Sequence, residues 1–355
     1  MPLDTSSLGQ PVDLGQVARE LKKLWESTGG THTRASLVNF AVLCSGAEAL
    51  EANTRILSTF TREHACRAIL IARVDEPGAP PVRTWINAHC HLSRAGAKSI
   101  CCEQITFIIN SGSEQMISNV LYANLDSDLP LYLWWQGELS AQPCEQLWSS
   151  VDRLIFDSRE WRDMSEQVPR LQAVLAAASP RTILCDLNWT RTLHLRQAVA
   201  QMFDQPENLA LLADVQRVTI QHSPGGESTA LLFASWVSAQ LAWEATERTD
   251  GRLVFRTASG DEVICELRQS AGAPIGLFEI QSGAGRVSVQ RSAGSPFFRA
   301  EVHLGERLAS SHLLPASNDE LVNLLDEELT LGGQHRVYLK ALNALTPLLG
   351  ETVPA

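Results

Sequence analysis

The residues best suited by type to hold a metal ion are His89, Cys90 and His91, followed by Cys101 and Cys102. Imidazole nitrogen and thiolate sulfur are the donors that zinc prefers. On extended strands alternate residues point to opposite faces, so His89 and His91 share one face and Cys90 takes the other, with Cys101 and Cys102 split the same way. At most three of the five can meet, and the spacing follows none of the usual zinc patterns, so no metal is expected. Redox chemistry is the alternative use of these thiols, with Cys101 and Cys102 as the candidates. Adjacent cysteines bond only with strain, and Cys90 or Cys66 can be the true partner of either. The bland reading is reduced thiols packed as small apolar residues.

Asn110-Ser111-Gly112-Ser113 stands between an expected strand and an expected helix, the arrangement by which helix N-terminal amides and hydroxyls hold a phosphate. It lacks the glycines and lysine of a P-loop and the GxGxxG of a dinucleotide fold, and a serine before a helix also serves as a plain N-cap. Asp157 and Asp186 each end an expected strand. That puts two carboxylates near the edge of a sheet where α/β ligands bind, or else makes each the cap of the helix that follows. No GxSxG elbow, HExxH pair or calcium loop occurs, and the histidines are scattered. Neither a catalytic set nor a cofactor is expected.

Nine tryptophans carry more information, because Trp joins a large apolar area to one donor and is enriched at protein interfaces. Trp134 and Trp135 are neighbours on an expected strand. One can fill the core while the other must meet a helix, a second domain or a partner. Trp189, directly after Asp186-Leu187-Asn188, is a second candidate surface anchor. Packing within the core or between domains accounts for all of them equally well.

The elements that must position these side chains follow from periodicity. Val17, Leu21, Leu24 and Trp25 predict an amphipathic helix after Asp13, ended by Gly29-Gly30. Strands are predicted over 35–44, 67–74, 82–92, 99–110, 129–135, 153–157 and 182–187, with 82–92 and 99–110 as antiparallel neighbours. Helices are predicted over 46–61, 113–124 and 162–178. This alternation implies an α/β N-terminal domain with a mostly parallel, mixed sheet. A helix over 191–203, a strand over 215–222 and a long helix over 228–247 come next. Short strands over 253–257, 262–269, 277–281, 286–292 and 297–303 then read as an antiparallel meander, closed by a helix that starts near Ser317 and Asn318. The C-terminal domain is therefore α+β with an antiparallel sheet, and the domains are placed at 1–180 and 181–355.

A chain of 355 residues with 45% apolar and 19% charged residues has the composition of ordinary globular domains, and its length suggests two of them. The net charge of −11 comes with no basic stripe, which argues against nucleic acid. The first 16 residues do not read as a signal peptide, and no apolar run reaches the roughly 20 residues that span a bilayer. Eight cysteines are too dilute for a disulfide scaffold. A cytoplasmic, reducing location is the expectation.

Five runs in one order carry a family resemblance: EHACRAILIARV (63–74), ICCEQITF (100–107), DLPLYLWWQG (128–137), DSR (157–159) and DLNWTRTLHLR (186–196). Together they resemble the glucose-6-phosphate dehydrogenase assembly protein family, OpcA. The matches lie between residues 63 and 196, while the C-terminal half is similar mainly in length and element order. The resemblance implies a non-enzymatic protein of cyanobacteria and actinobacteria that binds glucose-6-phosphate dehydrogenase and promotes its active oligomer. Such a partner raises the dehydrogenase's activity and so supports NADPH production by the oxidative pentose phosphate pathway. It also implies thioredoxin as a partner in some relatives, through cysteines near the C-terminus; here the last cysteine is Cys265, so that switch does not carry over. Motif position and interface physics together nominate Trp134, Trp135, Asp186, Asn188, Trp189 and Arg191 for partner binding. The competing reading is a lactonase-like sugar-phosphate enzyme or sensor built on the 110–113 turn and Asp157 or Asp186.

Overall fold

Long apolar runs with β-branched residues make the central strands, and their neighbours fix the order in which they pair. The computed structural model describes residues 4–27, 32–34, 36–92, 99–110, 116–140, 145–316, 318–331 and 335–350. The chain divides into two compact units, one of residues 1–156 and 170–185, the other of residues 157–169 and 186–355.

Among the described residues the first unit is a nine-stranded mixed sheet of β1 (Gln10–Val12), β2 (His32–Arg34), β3 (Val38–Ser45), β4 (Cys66–Arg73), β5 (Val82–Leu92), β6 (Ser99–Ile109), β7 (Leu131–Trp135), β8 (Arg153–Phe156) and β9 (Ile183–Asp186). Its helices are α1 (Val17–Ser27), α2 (Ala47–Phe60), α3 (Met116–Tyr122) and α4 (Glu145–Ser150), while α5 (Met164–Ala177) is divided between the units. The spatial order is β1-β5-β6-β4-β3-β7-β8-β9, with β2 paired to β6. Pairings among β6, β4, β3, β7 and β8 are parallel, and β5 turns back antiparallel on β6 as the sequence predicts. Taken in chain order, β3, β4, β6, β7, β8 and β9 stand in space as 3-2-1-4-5-6, the doubly wound order of dinucleotide-binding folds. Phe40, Ala41, Val42 and Cys44 of β3 and Ala68, Ile69 and Leu70 of β4 have no exposure at all, as central strands covered on both faces require. The helix α1 buries Val17 and Leu21, and Trp25 Nε1 donates to Glu103 at 3.1 Å. The glycines expected to end it, Gly29-Gly30, lie outside the described residues.

The second unit contains α6 (Leu187–Arg191), α7 (Leu193–Met202), α8 (Pro206–Leu209), β10 (Val215–His222), α9 (Glu227–Leu241), β11 (Glu244–Thr249), β12 (Arg252–Arg256), β13 (Glu262–Gln269), β14 (Ile275–Ser282), β15 (Gly285–Gln290), β16 (Phe297–Leu304), β17 (Arg307–Pro315), α10 (Leu321–Thr330) and α11 (Arg336–Leu345). Its sheet runs β11-β12-β13-β10-β14-β15-β16-β17. Every pair is antiparallel except β10 with β13, so the meander is interrupted by one strand that arrives ahead of α9. α9 packs on β10 and β13, and α7 on β15 and β16.

Three expectations need correction here. The helix predicted over 228–247 stops at Leu241, because Ala242 takes a left-handed φ of 53°, and residues 244–249 form β11 instead. The signal was Asp250-Gly251, a hairpin turn with Gly251 at φ 69°, which pairs β11 with β12. The helix predicted over 191–203 is α7, and a short helix that was not predicted, α6, precedes it, with Thr192 out of helical geometry between them. The strand β17 was not anticipated: nearly all its residues are exposed, so no alternation of apolar and polar residues marks it. Among the described residues no helix is long and apolar enough to cross a membrane.

Candidate functional site

The chain leaves β9 at Asp186, whose carboxylate caps α6 and gathers donors from three separate segments of the second unit. Its Oδ1 accepts from the backbone amides of Asn188 and Ser158, both at 3.0 Å. Its Oδ2 accepts from Ser158 Oγ at 2.7 Å and Tyr338 Oη at 3.2 Å. Asn188 closes the network, donating from Nδ2 to Ser158 Oγ at 3.0 Å and accepting from Thr229 Oγ1 at 2.6 Å. Burial, with the neighbouring Asp157 charge second, pushes the Asp186 carboxyl up to about 7, against the hydrogen bonds that pull it down.

Beside this network Asp157 caps the 158–160 turn through the Arg159 amide and takes Arg191 in a two-pronged ion pair, Nη2 to Oδ2 at 2.8 Å and Nη1 to Oδ1 at 3.2 Å. Both side chains are almost wholly covered. Capping therefore accounts for both aspartates, each of which also ties its cap to a distant residue.

The structure thus brings Asp186, Asn188, Trp189 and Arg191 together on one turn of helix, and it buries their side chains. Trp189 is 5% exposed, so its expected place as a surface anchor is corrected: it packs on Tyr338, centroids 5.5 Å apart, under the Arg196 guanidinium at 3.3 Å from the ring centroid. Trp134 and Trp135, in the first unit, are both buried as well. The neighbour that the second Trp requires is a helix: Trp135 meets Trp148 of α4 with centroids 5.3 Å apart and donates from Nε1 to the Glu138 carbonyl at 3.0 Å. Residues 145–150 gave no helical pattern long enough to be read.

Cys101 does not pair with Cys102. It forms a disulfide with Cys90, directly across the β5–β6 ladder, with Cα atoms 4.1 Å apart, while Cys102 is a buried thiol outside any disulfide that donates to the Thr61 carbonyl. Burial raises the thiols of Cys102 and Cys66. In the ladder His89 stands opposite Cys102, and its Nε2 lies 2.7 Å from Gln104 Oε1. Of the proposed phosphate turn, Asn110 spends its side chain on the 74–81 connection, accepting from the Glu76 amide at 3.0 Å and donating to the carbonyls of Glu76 and Ala79. Ser111, Gly112 and Ser113 lie outside the described residues.

A doubly wound sheet binds its ligand beyond the carboxyl ends of the strands, at the switch point. Here the turn from β3 into α2 holds one glycine, Gly46, in place of a glycine-rich loop. The cavity of about 600 Å³ beside this turn, near the ends of β3 and β4, has Asp4, Glu48, Glu51, Asp75 and Glu76 among its lining residues. Glu51 and Glu76 are ion-paired with Arg55 and Arg83, and the carboxylates of Asp4, Glu48 and Asp75 would repel the pyrophosphate of a dinucleotide.

Residues 58–173 match the family described as glucose-6-phosphate dehydrogenase subunit N-terminal domain, and residues 182–342 match its C-terminal domain. The OxPP cycle protein OpcA of Nostoc punctiforme is 28% identical over 262 residues, 70% of this chain and 51% of that protein. Its namesake in Synechocystis is 27% identical over 191 residues, 53% of this chain and 39% of that protein. The match thus spans about half of the length of these curated relatives, or less. Among solved structures, an aldose-aldose oxidoreductase from Caulobacter crescentus superposes over 87% of this chain and 95% of its own, at 12% identity and a TM-score of 0.46. With both domain families matched in sequence order over most of its length, the chain belongs to the OpcA family of glucose-6-phosphate dehydrogenase subunits.

Proposed function

We propose that this protein is a non-catalytic assembly factor that binds glucose-6-phosphate dehydrogenase and favours its active oligomer, so supporting the oxidative pentose phosphate pathway and its NADPH output. The match of both units to domains described as parts of that dehydrogenase's subunit family carries this reading. The acidic cavity beside the β3–α2 turn supports it, because carboxylates near the turn where a doubly wound sheet would receive a nucleotide's phosphates disfavour that ligand.

Activation on this reading is a population shift. The protein must bind the competent form of the enzyme more tightly than the incompetent one, since equal affinity for both moves nothing. The side chains of Trp134, Trp135, Asp186, Asn188, Trp189 and Arg191 are covered, so on this reading each takes part by fixing the backbone of its own unit rather than by touching the partner. Mixing the purified chain with its cognate dehydrogenase at subsaturating glucose 6-phosphate is the test. A higher rate, together with a complex seen by mass measurement, is expected; no complex and no change in rate would overturn the proposal.

A further inference from the structure

The second unit holds a cavity of about 450 Å³ between α7, α9 and α11, within the size range of small-molecule sites. Trp189, Trp236 and Tyr338 give it aromatic walls, Leu193 and Leu331 aliphatic ones, and Arg196 supplies a positive charge. Arg196 is only 7% exposed, which is unusual for a guanidinium. Its Nη1 donates to the Trp189 carbonyl and to Thr192 Oγ1, both at 2.8 Å, and its Cζ lies over the Trp189 ring. Among the described residues, Nε and Nη2 meet no acceptor and no carboxylate forms an ion pair with it. The Glu328 carboxylate, which also lines the pocket, accepts from the Thr190 hydroxyl and stands 2.7 Å from His335 Nε2.

A nearly dry guanidinium with donors left over, set at one end of an aromatic pocket, is the arrangement that receives a planar or tetrahedral anion while its organic body packs on the rings. We infer that this pocket binds a small organic anion, a phosphate monoester or carboxylate, with the charged group on Arg196 Nε and Nη2 and the body against Trp236 and Leu193. Burial lowers the Arg196 guanidinium to about 9 even though the Glu328, Asp186 and Glu327 charges oppose the shift, and a bound anion offsets more of that penalty. The inference is independent of the dehydrogenase partnership, which can fail without touching it.

Calorimetric titration and thermal unfolding of the full chain, with phenyl phosphate, benzoate, glucose 6-phosphate and inorganic phosphate as probes, test it. The two ring compounds separate phosphate from carboxylate, the sugar phosphate tests a non-aromatic body, and inorganic phosphate has no body at all. Saturable binding of at least one organic anion is expected, with inorganic phosphate weaker. Arg196→Met should weaken that binding at least roughly tenfold, the loss of about 1.4 kcal/mol. Ala200→Trp, at an exposed position on the rim that leaves Arg196 intact, should block the pocket and do the same. If Arg196→Met does not fold, Ala200→Trp decides alone. Absence of binding by all three organic anions up to about 10 mM, equal binding of inorganic phosphate, or undiminished binding in Ala200→Trp would overturn the inference.

Discussion

Ser158 gives Asp186 both its backbone amide and its hydroxyl, at 3.0 and 2.7 Å, and so joins two segments that stand 28 residues apart. One lies in the DSR run and the other in the DLNWTR run. The two runs that carry the family resemblance in this part of the chain are therefore halves of a single buried network, reached also by Asn188, Thr229 and Tyr338. Such a network is stabilising only when every member is satisfied, and removing one member leaves the others unpaired in a dry site.

Asp186→Ala strips the acceptor from two amides and two hydroxyls and should cost about 3 kcal/mol or more in unfolding free energy, measured by denaturant titration. Asp186→Asn keeps the shape and removes the charge, which makes it a probe of pH. The folded carboxyl is raised to about 7 from an ordinary value of 3.8, so between those values the folded chain holds a proton that the unfolded chain has released. Stability from this group is therefore full at low pH and falls, by up to about 1.4 kcal/mol per pH unit, as pH rises through that window. Asparagine does not titrate. The stability of Asp186→Asn relative to the native chain should thus improve as pH is raised from about 5 to about 8, and a constant difference would refute the assignment.

The Asp157–Arg191 pair allows a cleaner dissection, because both partners are covered and the geometry is two-pronged. Arg191→Met leaves the Asp157 carboxylate buried without its cation and should destabilise by about 3–5 kcal/mol. Asp157→Asn combined with Arg191→Met should cost clearly less than the sum of the single changes. A double-mutant cycle by chemical denaturation measures this coupling, and strict additivity would show that the pair does not act as a unit.

The doubly wound alternation and most strands were legible because burial on both faces writes itself as continuous apolar runs, as in CRAILIAR of β4. The edge strand β17 was not legible, since exposed residues carry no periodic signal, and β11 was absorbed into a helix by the apolar run before Ala242. At the site, sequence reasoning found Asp157, Asp186 and Asn188 from strand ends and motif position. It could not find Tyr338, 152 residues beyond Asp186, or see that Arg196 lies on Trp189. Tertiary approach of that kind has no local spacing to announce it. The same limit explains the tryptophans: strand geometry correctly required a neighbour on each side of Trp134-Trp135, but the short helix that supplies Trp148 carries too few turns to read.

That neighbour has a measurable weight. Trp148 is buried against Trp135, and Trp148→Ala should cost about 3–5 kcal/mol through the cavity it leaves. Trp148→Phe should recover part of the loss, because it keeps an aromatic face against Trp135. Thermal unfolding of the two variants gives the ranking, and equal midpoints would show that the indole is not held by this contact.

The Cys90–Cys101 bond closes a short loop between adjacent strands, with 11 residues of separation. Linking so short a loop restricts the unfolded chain modestly, so Cys90→Ser should lower stability by about 2–3 kcal/mol, and the native chain under reductant should show a similar loss. The two sulfurs differ in access, since Cys90 is exposed and Cys101 buried. On reduction of the folded protein, an alkylating reagent should therefore reach Cys90 quickly and Cys101 slowly. Cys102 should stay unlabelled in both states, being buried with its thiol raised in pKa, a combination that disfavours the reactive thiolate. Peptide mapping after timed alkylation, with and without reductant, reads all three positions at once. Labelling of Cys90 without reductant would show the bond to be absent from the native protein, and prompt labelling of Cys102 would mean that the β4–β6 layer opens far more readily than its burial implies.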